Sequence, residues 1–567
     1  MLLTRPERKA GHPPPRLLAM CIIARVRDPR PAPPEPAQTT ESPVGSAGAV
    51  EAAPRWLYLV PLAIALVALV CVAYFDLQTN LSFNDEYARR WTIQRFLDGH
   101  GLALWGANPG LVQLAAAGLV ALSHSEPRFW RLAVLPFIAV AGLFAWKTAR
   151  RLGADRFWAA TAAATVVAGP ITLSLATGLM TETVFLGLFL GATWFALRWV
   201  LDGKGMAWCV AWAVLATLQR PQGGGLVLGV AAGLWLASNS RRLKVRDFAG
   251  LAILSLGVIA AYELPNRLFR GVATPGVGPP QSVFKFAFTV ANVVSLPVML
   301  GLLLLPFVVG MLARLPVERH RLGRMEMIPA AIAFAGLVGS GTMLVALHSD
   351  ILPGNYLGKW GLGPKLLPGP KVDLFPLPLL LPMELVALVA GLVLLAWRRR
   401  VWQARLLGTG GAMLTVFAIS QFLPLLWYAG LFDRYFVLVA APLAPLLAAM
   451  VSRSDWRPRL SAAWAIAFLG VGLVTYVVGQ QDYTGWQVAR DIAARSAYSQ
   501  APPVEVQAGY EETAEHVWVP AADDPSLPRD LVNNPRIYLV FTGPNDPRPG
   551  ASYSSLSPGR IIIVRAR

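Results

Sequence analysis

Charge is scarce in this chain. Asp, Glu, Lys and Arg make up only 14% of its 567 residues, where a soluble protein of that length carries nearer a quarter. A water-soluble globule is therefore excluded. Cysteine is scarce as well: Cys21, Cys71 and Cys209 stand far apart, with neither metal-ligand spacing nor the dense, even set of a disulfide framework. No glycine fingerprint of a nucleotide-binding turn occurs, since the GGG at 223–225 opens an apolar run instead of following a strand. The residue alternation of a barrel wall is missing, and so is the two-fold repeat common in secondary transporters. No apolar core near residue 1 leads to a small-residue cleavage site, so a cleavable signal peptide is not expected.

What is present is hydrophobic: 55% of the residues, with a mean hydropathy of +0.50. Apolar runs rich in Leu, Ala and Val recur at roughly 17–25 residues, each long enough to cross a bilayer. The expected fold is an all-α polytopic membrane protein. The formal charge of +18 sits mostly in short Lys/Arg clusters between the runs. That pattern orients helices toward the cytoplasm and does not call for nucleic acid as a partner. Many of the nineteen Trp flank the runs as interfacial anchors would.

Three regions follow. Residues 1–54, rich in Pro and Arg, lack apolar periodicity and read as a disordered cytoplasmic tail. Residues 55–480 hold the spans. Residues 481–567 are more polar, carry the turn signal GPNDPRPG, two strand-like runs and a helical pattern near Trp486–Tyr498, and read as a small extracytoplasmic α+β domain. The apolar stretch at 110–123 is short for a span and suits a helix lying in the interface. Treating it so places every strong basic cluster inside, and gives about thirteen spans with the N-terminus in and the C-terminus out. A multi-pass protein of the cell membrane is the result.

That topology gathers the polar residues on the outer face. The stretch LSFNDEYARRWTIQRFLDGH, 81–100, follows the first span and opens with Asp85 and Glu86, with Arg89, Arg90 and Arg95 behind them. Glu182 heads span four, Arg220 lies at the mouth of spans five and six, and Asp433-Arg434 opens span twelve. Each has a plainer reading. Glu182 can cap its own helix, Arg220 can anchor at headgroups, and Arg434 can pair with Asp433. The outer loop PGNYLGKWGLGPKLLPGP adds Lys359, Lys365 and, just beyond it, Lys371, and its Gly/Pro content suits a lid.

The order of the stretches NDEYARRWTIQRFLDG, WRLAVLPFIAVAGLFAWKTARRLGADRFWAATAAATVVAGP, TGLMTETVFL, QRPQGG and DRYFVLVAAPLAPLL resembles the GT-C glycosyltransferases that use a polyprenyl-phosphate sugar donor. Aminoarabinose transferases and protein O-mannosyltransferases (glycosyltransferase family 39 type) are the best-known relatives. The resemblance covers roughly 55–480. It implies a catalytic Asp at Asp85, a second-loop carboxylate at Glu182 and a functional arginine at Arg131. Its donor would be a polyprenyl-phosphate-linked sugar, its acceptor a lipid, glycan or protein, and its surroundings membrane lipids.

The residue inventory suits that chemistry independently. A lipid phosphate leaves without protonation, so one carboxylate to take the acceptor proton and cations to hold the departing phosphate suffice. A hydrolytic glycosidase needs two carboxylates in opposed roles. Asp85 is the expected base. Glu86 and Glu182 are expected to position the sugar or, with Asp85, to hold a divalent cation. Arg220 and Arg434 are the phosphate candidates, since guanidinium forks match phosphate oxygens; Lys359 of the outer loop is a further cation, and the resemblance adds Arg131. The competing functions are a lipid-linked glycan polymerase or ligase, and a secondary transporter.

Overall fold

A computed structural model describes residues 55–83, 85–104, 110–124, 126–238, 242–269, 286–312, 356–358, 361–365, 367–369, 386, 408–427, 432–454, 458–520, 535–542, 545–548, 550–553 and 559–565. The N-terminal tail, Lys359, Lys371 and the ninth and (Val386 apart) tenth expected spans lie outside the described residues.

Among the described residues, six helices are long and apolar enough to cross a membrane, or eight if each of two bent pairs is one span. Helix α1, Leu59–Gln78, follows the first apolar run. Helix α2, Glu86–Leu97, then carries the acidic pair, and α3, Leu111–Ala121, follows it. With 1.5 Å of rise per residue, the eleven residues of α3 cover about 16 Å, half of a bilayer core.

Behind them the helix Thr181–Asp202 forms the centre of the bundle. It packs between the helices Leu135–Arg151 and Met206–Gln219. Gly187 permits the first contact: a Cβ there would overlap the Phe137 carbonyl oxygen. Prolines set the bends. Pro170 cannot donate to the helix before it and pushes Gly169 into extended backbone. The pair Arg156–Ala168 and Pro170–Ala176 is therefore bent by 51°. A 50° bend separates Asp433–Ala440 from the helix that follows, with Pro442 in the gap.

The last span does not stop at residue 480. One helix of 41 residues runs over Pro458–Tyr498, about 62 Å of rise and twice the thickness of a bilayer core. Along its second half Tyr483, Trp486, Ala489, Ala493 and Ala497 recur with helical spacing and pack on Val506, Ile537, Leu539, Phe541 and Ile561. These last residues belong to a four-stranded sheet of order β3-β4-β6-β5, with β3 Val506–Gln507, β4 Ile537–Thr542, β5 Gly550–Tyr553 and β6 Gly559–Arg565. β3 runs parallel to β4, and the other pairings are antiparallel. A second, two-stranded hairpin, β1 Leu357–Gly358 with β2 Gly361–Leu362, belongs to the long loop ahead of the last spans.

Candidate active site

The acidic pair at the head of α2 divides. Asp85 begins the helix, yet its side chain makes no capping hydrogen bond. It meets Arg434 instead, with Nη1 donating to Oδ2 over 3.0 Å. Its side chain is 41% exposed, against 3% for Glu182 and 0% for Glu86, so of the three it is the one an incoming molecule can reach.

Glu86 is sealed inside the loop. Arg131 Nε donates to it at 2.7 Å, Arg90 Nε at 2.9 Å and the Phe83 N–H at 2.9 Å. Gly178, at φ +120°, leaves room for its second oxygen; a Cβ there would stand 3.2 Å from Oε2. Burial alone would raise the Glu86 carboxyl, but Arg131 and then Arg90 outweigh it and hold the group below its ordinary value. Arg131, expected on the donor phosphate, has all three guanidinium nitrogens engaged: by Glu86 and by the carbonyls of Asp76, Thr79 and Leu81. Neither residue turns toward Asp85's partners.

Glu182 lies in the first turn of its helix, where either reading stood open. Arg220 Nη1 forms an ion pair with its Oε1 at 2.7 Å and donates to Thr181 Oγ1 at 2.9 Å. The sequence explains how Arg220 gets there. Pro221 forces the preceding residue out of helical geometry, so Arg220 ends the Met206–Gln219 helix in extended backbone, φ −151°. That turns its guanidinium inward, 1% exposed.

Arg434 closes the set. Its Nε stands 3.5 Å from Glu182 Oε1 while Nη1 holds Asp85. Among the described residues, the neighbouring Asp433 forms no side-chain ion pair with it and takes the Arg434 backbone N–H instead. The Asp433 carboxylate accepts from the N–H groups of Tyr356 and Leu357 at 3.0 and 2.5 Å, fastening the β1–β2 hairpin to the head of this helix. The Tyr435 ring lies under both guanidiniums, at 5.7 Å from Arg220 and 5.3 Å from Arg434, within cation–π range.

Arg89 is a member that sequence reasoning did not single out. It lies one helical turn after Asp85, on the same face of α2, and is 7% exposed. A Cβ on Gly110 would stand 3.2 Å both from Arg89 Nη1 and from the Thr181 methyl, which locates the guanidinium tip beside the Glu182 turn. Burial lowers it to about 10, opposed by Asp85 and Glu182, so it is charged at neutral pH. Three guanidiniums thus face two carboxylates, leaving one net positive charge. Among the described residues, Arg220 Nη2 is buried with no acceptor, a donor left over.

Lys365 is engaged elsewhere, in a buried pair with Asp482 of the 41-residue helix. No group of three or more His, Cys, Asp or Glu placed for a metal ion occurs among the described residues. Asp85 and Glu182, the carboxylates considered as cation ligands, are bridged by Arg434; this donor set does not fit a divalent cation. A cavity lined by Thr165, Val166, Thr172, Leu303, Leu304, Val437, Ala440, Ala441 and Ala444 lies where the helix breaks meet. Val437 places its wall one turn beyond Arg434.

No family model matches the sequence, and no curated protein does. Among solved structures, the chain is similar to ArnT from Cupriavidus metallidurans bound to undecaprenyl phosphate, at 15% identity and a TM-score of 0.35, over 90% of this chain and 98% of that one. It is equally similar to the apo state of the same protein, at 15% identity and a TM-score of 0.35, over 89% of this chain and 97% of that one.

Proposed function

We propose that this chain is a membrane glycosyltransferase that moves a sugar from a polyprenyl-phosphate donor to an acceptor hydroxyl on the extracytoplasmic face, with Asp85 as general base. The observation that carries the reading is an exposed carboxylate held beside buried guanidiniums with donor capacity left over. The ordered outer-face motifs of the sequence support it as well.

In the reaction Asp85 accepts the proton of the acceptor hydroxyl as that oxygen bonds to the anomeric carbon. The bond from that carbon to the phosphate oxygen breaks, and its electron pair leaves with the polyprenyl phosphate. Arg220 and Arg434, with Arg89, hold the phosphate as its charge grows, in a site where buried donors act more strongly than in water. Glu182 holds the two arginines in place and offsets part of their charge. Glu86 and Arg131 hold the loop that presents Asp85.

Arginine replacement tests the phosphate assignment. Arg220→Lys and Arg434→Lys keep a positive charge and lose the bidentate fork. Each is expected to weaken binding of undecaprenyl phosphate about tenfold or more, on the scale of one lost charge-assisted bond. Wild-type affinity in both variants removes the phosphate from this site.

A further inference from the structure

Ser82 and Phe83, just ahead of Asp85, lie far in sequence from the elements that hold them. Ser82 and Phe83 are each 2% exposed. The Ser82 hydroxyl donates to the carboxylate of Glu515. The Phe83 ring lies 5.8 Å from that of Tyr483. Tyr483 is itself fixed: its hydroxyl donates to Glu511 at 3.2 Å and accepts from Gln487 at 2.6 Å, while Arg490 holds the other Glu511 oxygen. On the far side of Asp85, Tyr87, Ala88 and Trp91 of α2 pack on Ala514 and Val517. The chain is therefore gripped on both flanks of Asp85 by one short C-terminal segment, Tyr510–Thr513 and the π-helical turn Ala514–Trp518 after it.

Two features make this grip more than a packing contact. Asp85 does not cap its own helix, so its carboxylate is aimed by its contact with Arg434 and by the chain that leads into the helix through Ser82 and Phe83. Glu515 also lies beside Arg90, whose guanidinium holds the carbonyls of Asn80 and Leu81. The loop backbone is thus tied at 80 and 81 by Arg90 and at 82 by Glu515. A base displaced by about an ångström loses roughly a hundredfold in rate, so a tether three residues away bears directly on turnover.

We propose that the segment 510–518 is a positioning element for Asp85, acting through the Ser82–Glu515 hydrogen bond. This rests on the reading of Asp85 as the base. Ser82→Ala, Glu515→Ala and the double variant are compared with Ser82→Thr and Asp85→Asn, in the full chain reconstituted in lipid nanodiscs. Undecaprenyl phosphate binding is measured beside sugar transfer from a polyprenyl-phosphate-sugar fraction extracted from the host's own membranes. Each single alanine variant is expected to lower kcat about tenfold, a partial version of the misplacement loss. The KM for donor lipid, undecaprenyl phosphate affinity and unfolding midpoint are expected to stay at wild-type values. The double variant should fall no further than Glu515→Ala alone, because Ser82→Ala removes only a bond that Glu515→Ala already removes, and Ser82→Thr, which keeps the hydroxyl, should retain turnover. Wild-type kcat in both single variants with Asp85→Asn inactive overturns the positioning role and leaves the base standing. A loss of kcat that follows lost lipid affinity or a lowered midpoint also overturns it, since that marks a merely structural contact. Full transfer by Asp85→Asn overturns the base and, with it, the element said to position it.

Discussion

Glu86→Gln separates the two members of the acidic pair. The change keeps size and shape but replaces a buried carboxylate that receives three donors: Arg131 at 2.7 Å, Arg90 at 2.9 Å and the Phe83 N–H at 2.9 Å. Glutamine offers one acceptor oxygen, and its amide group then points two hydrogens at donors. Arg131 is fully buried, so its charge loses the one carboxylate it hydrogen-bonds. Removing one partner of a buried pair costs about 3–5 kcal/mol; Arg131 retains the carbonyls of Asp76, Thr79 and Leu81, which puts the expected loss near ~3 kcal/mol. The assay is the thermal inactivation midpoint of the purified protein, with turnover measured per folded molecule. A lower midpoint is expected, with turnover per folded molecule near wild type. A wild-type midpoint combined with abolished transfer would refute the reasoning and make Glu86 the chemical group.

The same carboxylate gives a pH dependence. Its folded value is depressed below the ordinary 4.5, so the stability it contributes is complete above that pH and lost as pH falls through the lower folded value; acid unfolding of Glu86→Gln should show a shallower limb there. Gly187→Ala places a methyl on the Phe137 carbonyl and should destabilise the bundle by about 1–3 kcal/mol as the helices part; an unchanged unfolding midpoint would show that the helices can separate freely. Single cysteines at Phe96 and Lys204, both exposed, test the orientation. Phe96→Cys is expected to react with an impermeant maleimide in intact cells and Lys204→Cys only after permeabilisation, while the reverse would place the site in the cytoplasm.

Much of the site was legible in the sequence because sidedness constrains it. Once basic clusters are set inside, Asp85, Glu182, Arg220 and Arg434 share one face, and the structure joins them by Arg434–Asp85, Arg434–Glu182 and Arg220–Glu182 contacts. Adjacency misled where helix geometry rules. Asp85 and Glu86, or Asp433 and Arg434, are neighbours in sequence but point about 100° apart on a helix. In each pair one member joins the Asp85–Arg434–Glu182 cluster and the other accepts from backbone N–H groups. The Glu86–Arg131 pair spans 45 residues and carries no local signal. The helical pattern near Trp486–Tyr498 was legible, but its continuity with the last span was not: hydropathy falls near 480, yet the 3.6-residue pattern continues through Tyr483, Trp486 and Ala493, with the sheet in place of lipid as its partner. Arg89 was the readable omission, one turn from Asp85 on the same face.

Asp85→Asn tests the central claim most directly. Asparagine keeps the size and an acceptor oxygen for Arg434 but cannot take a proton at neutral pH. Transfer measured in the purified protein is expected to fall about a hundredfold or more, the scale of lost general base catalysis, while undecaprenyl phosphate binding is retained. Asp85→Glu should recover little, because the added methylene misplaces the carboxylate. Sugar transfer by Asp85→Asn at the wild-type rate would contradict the account.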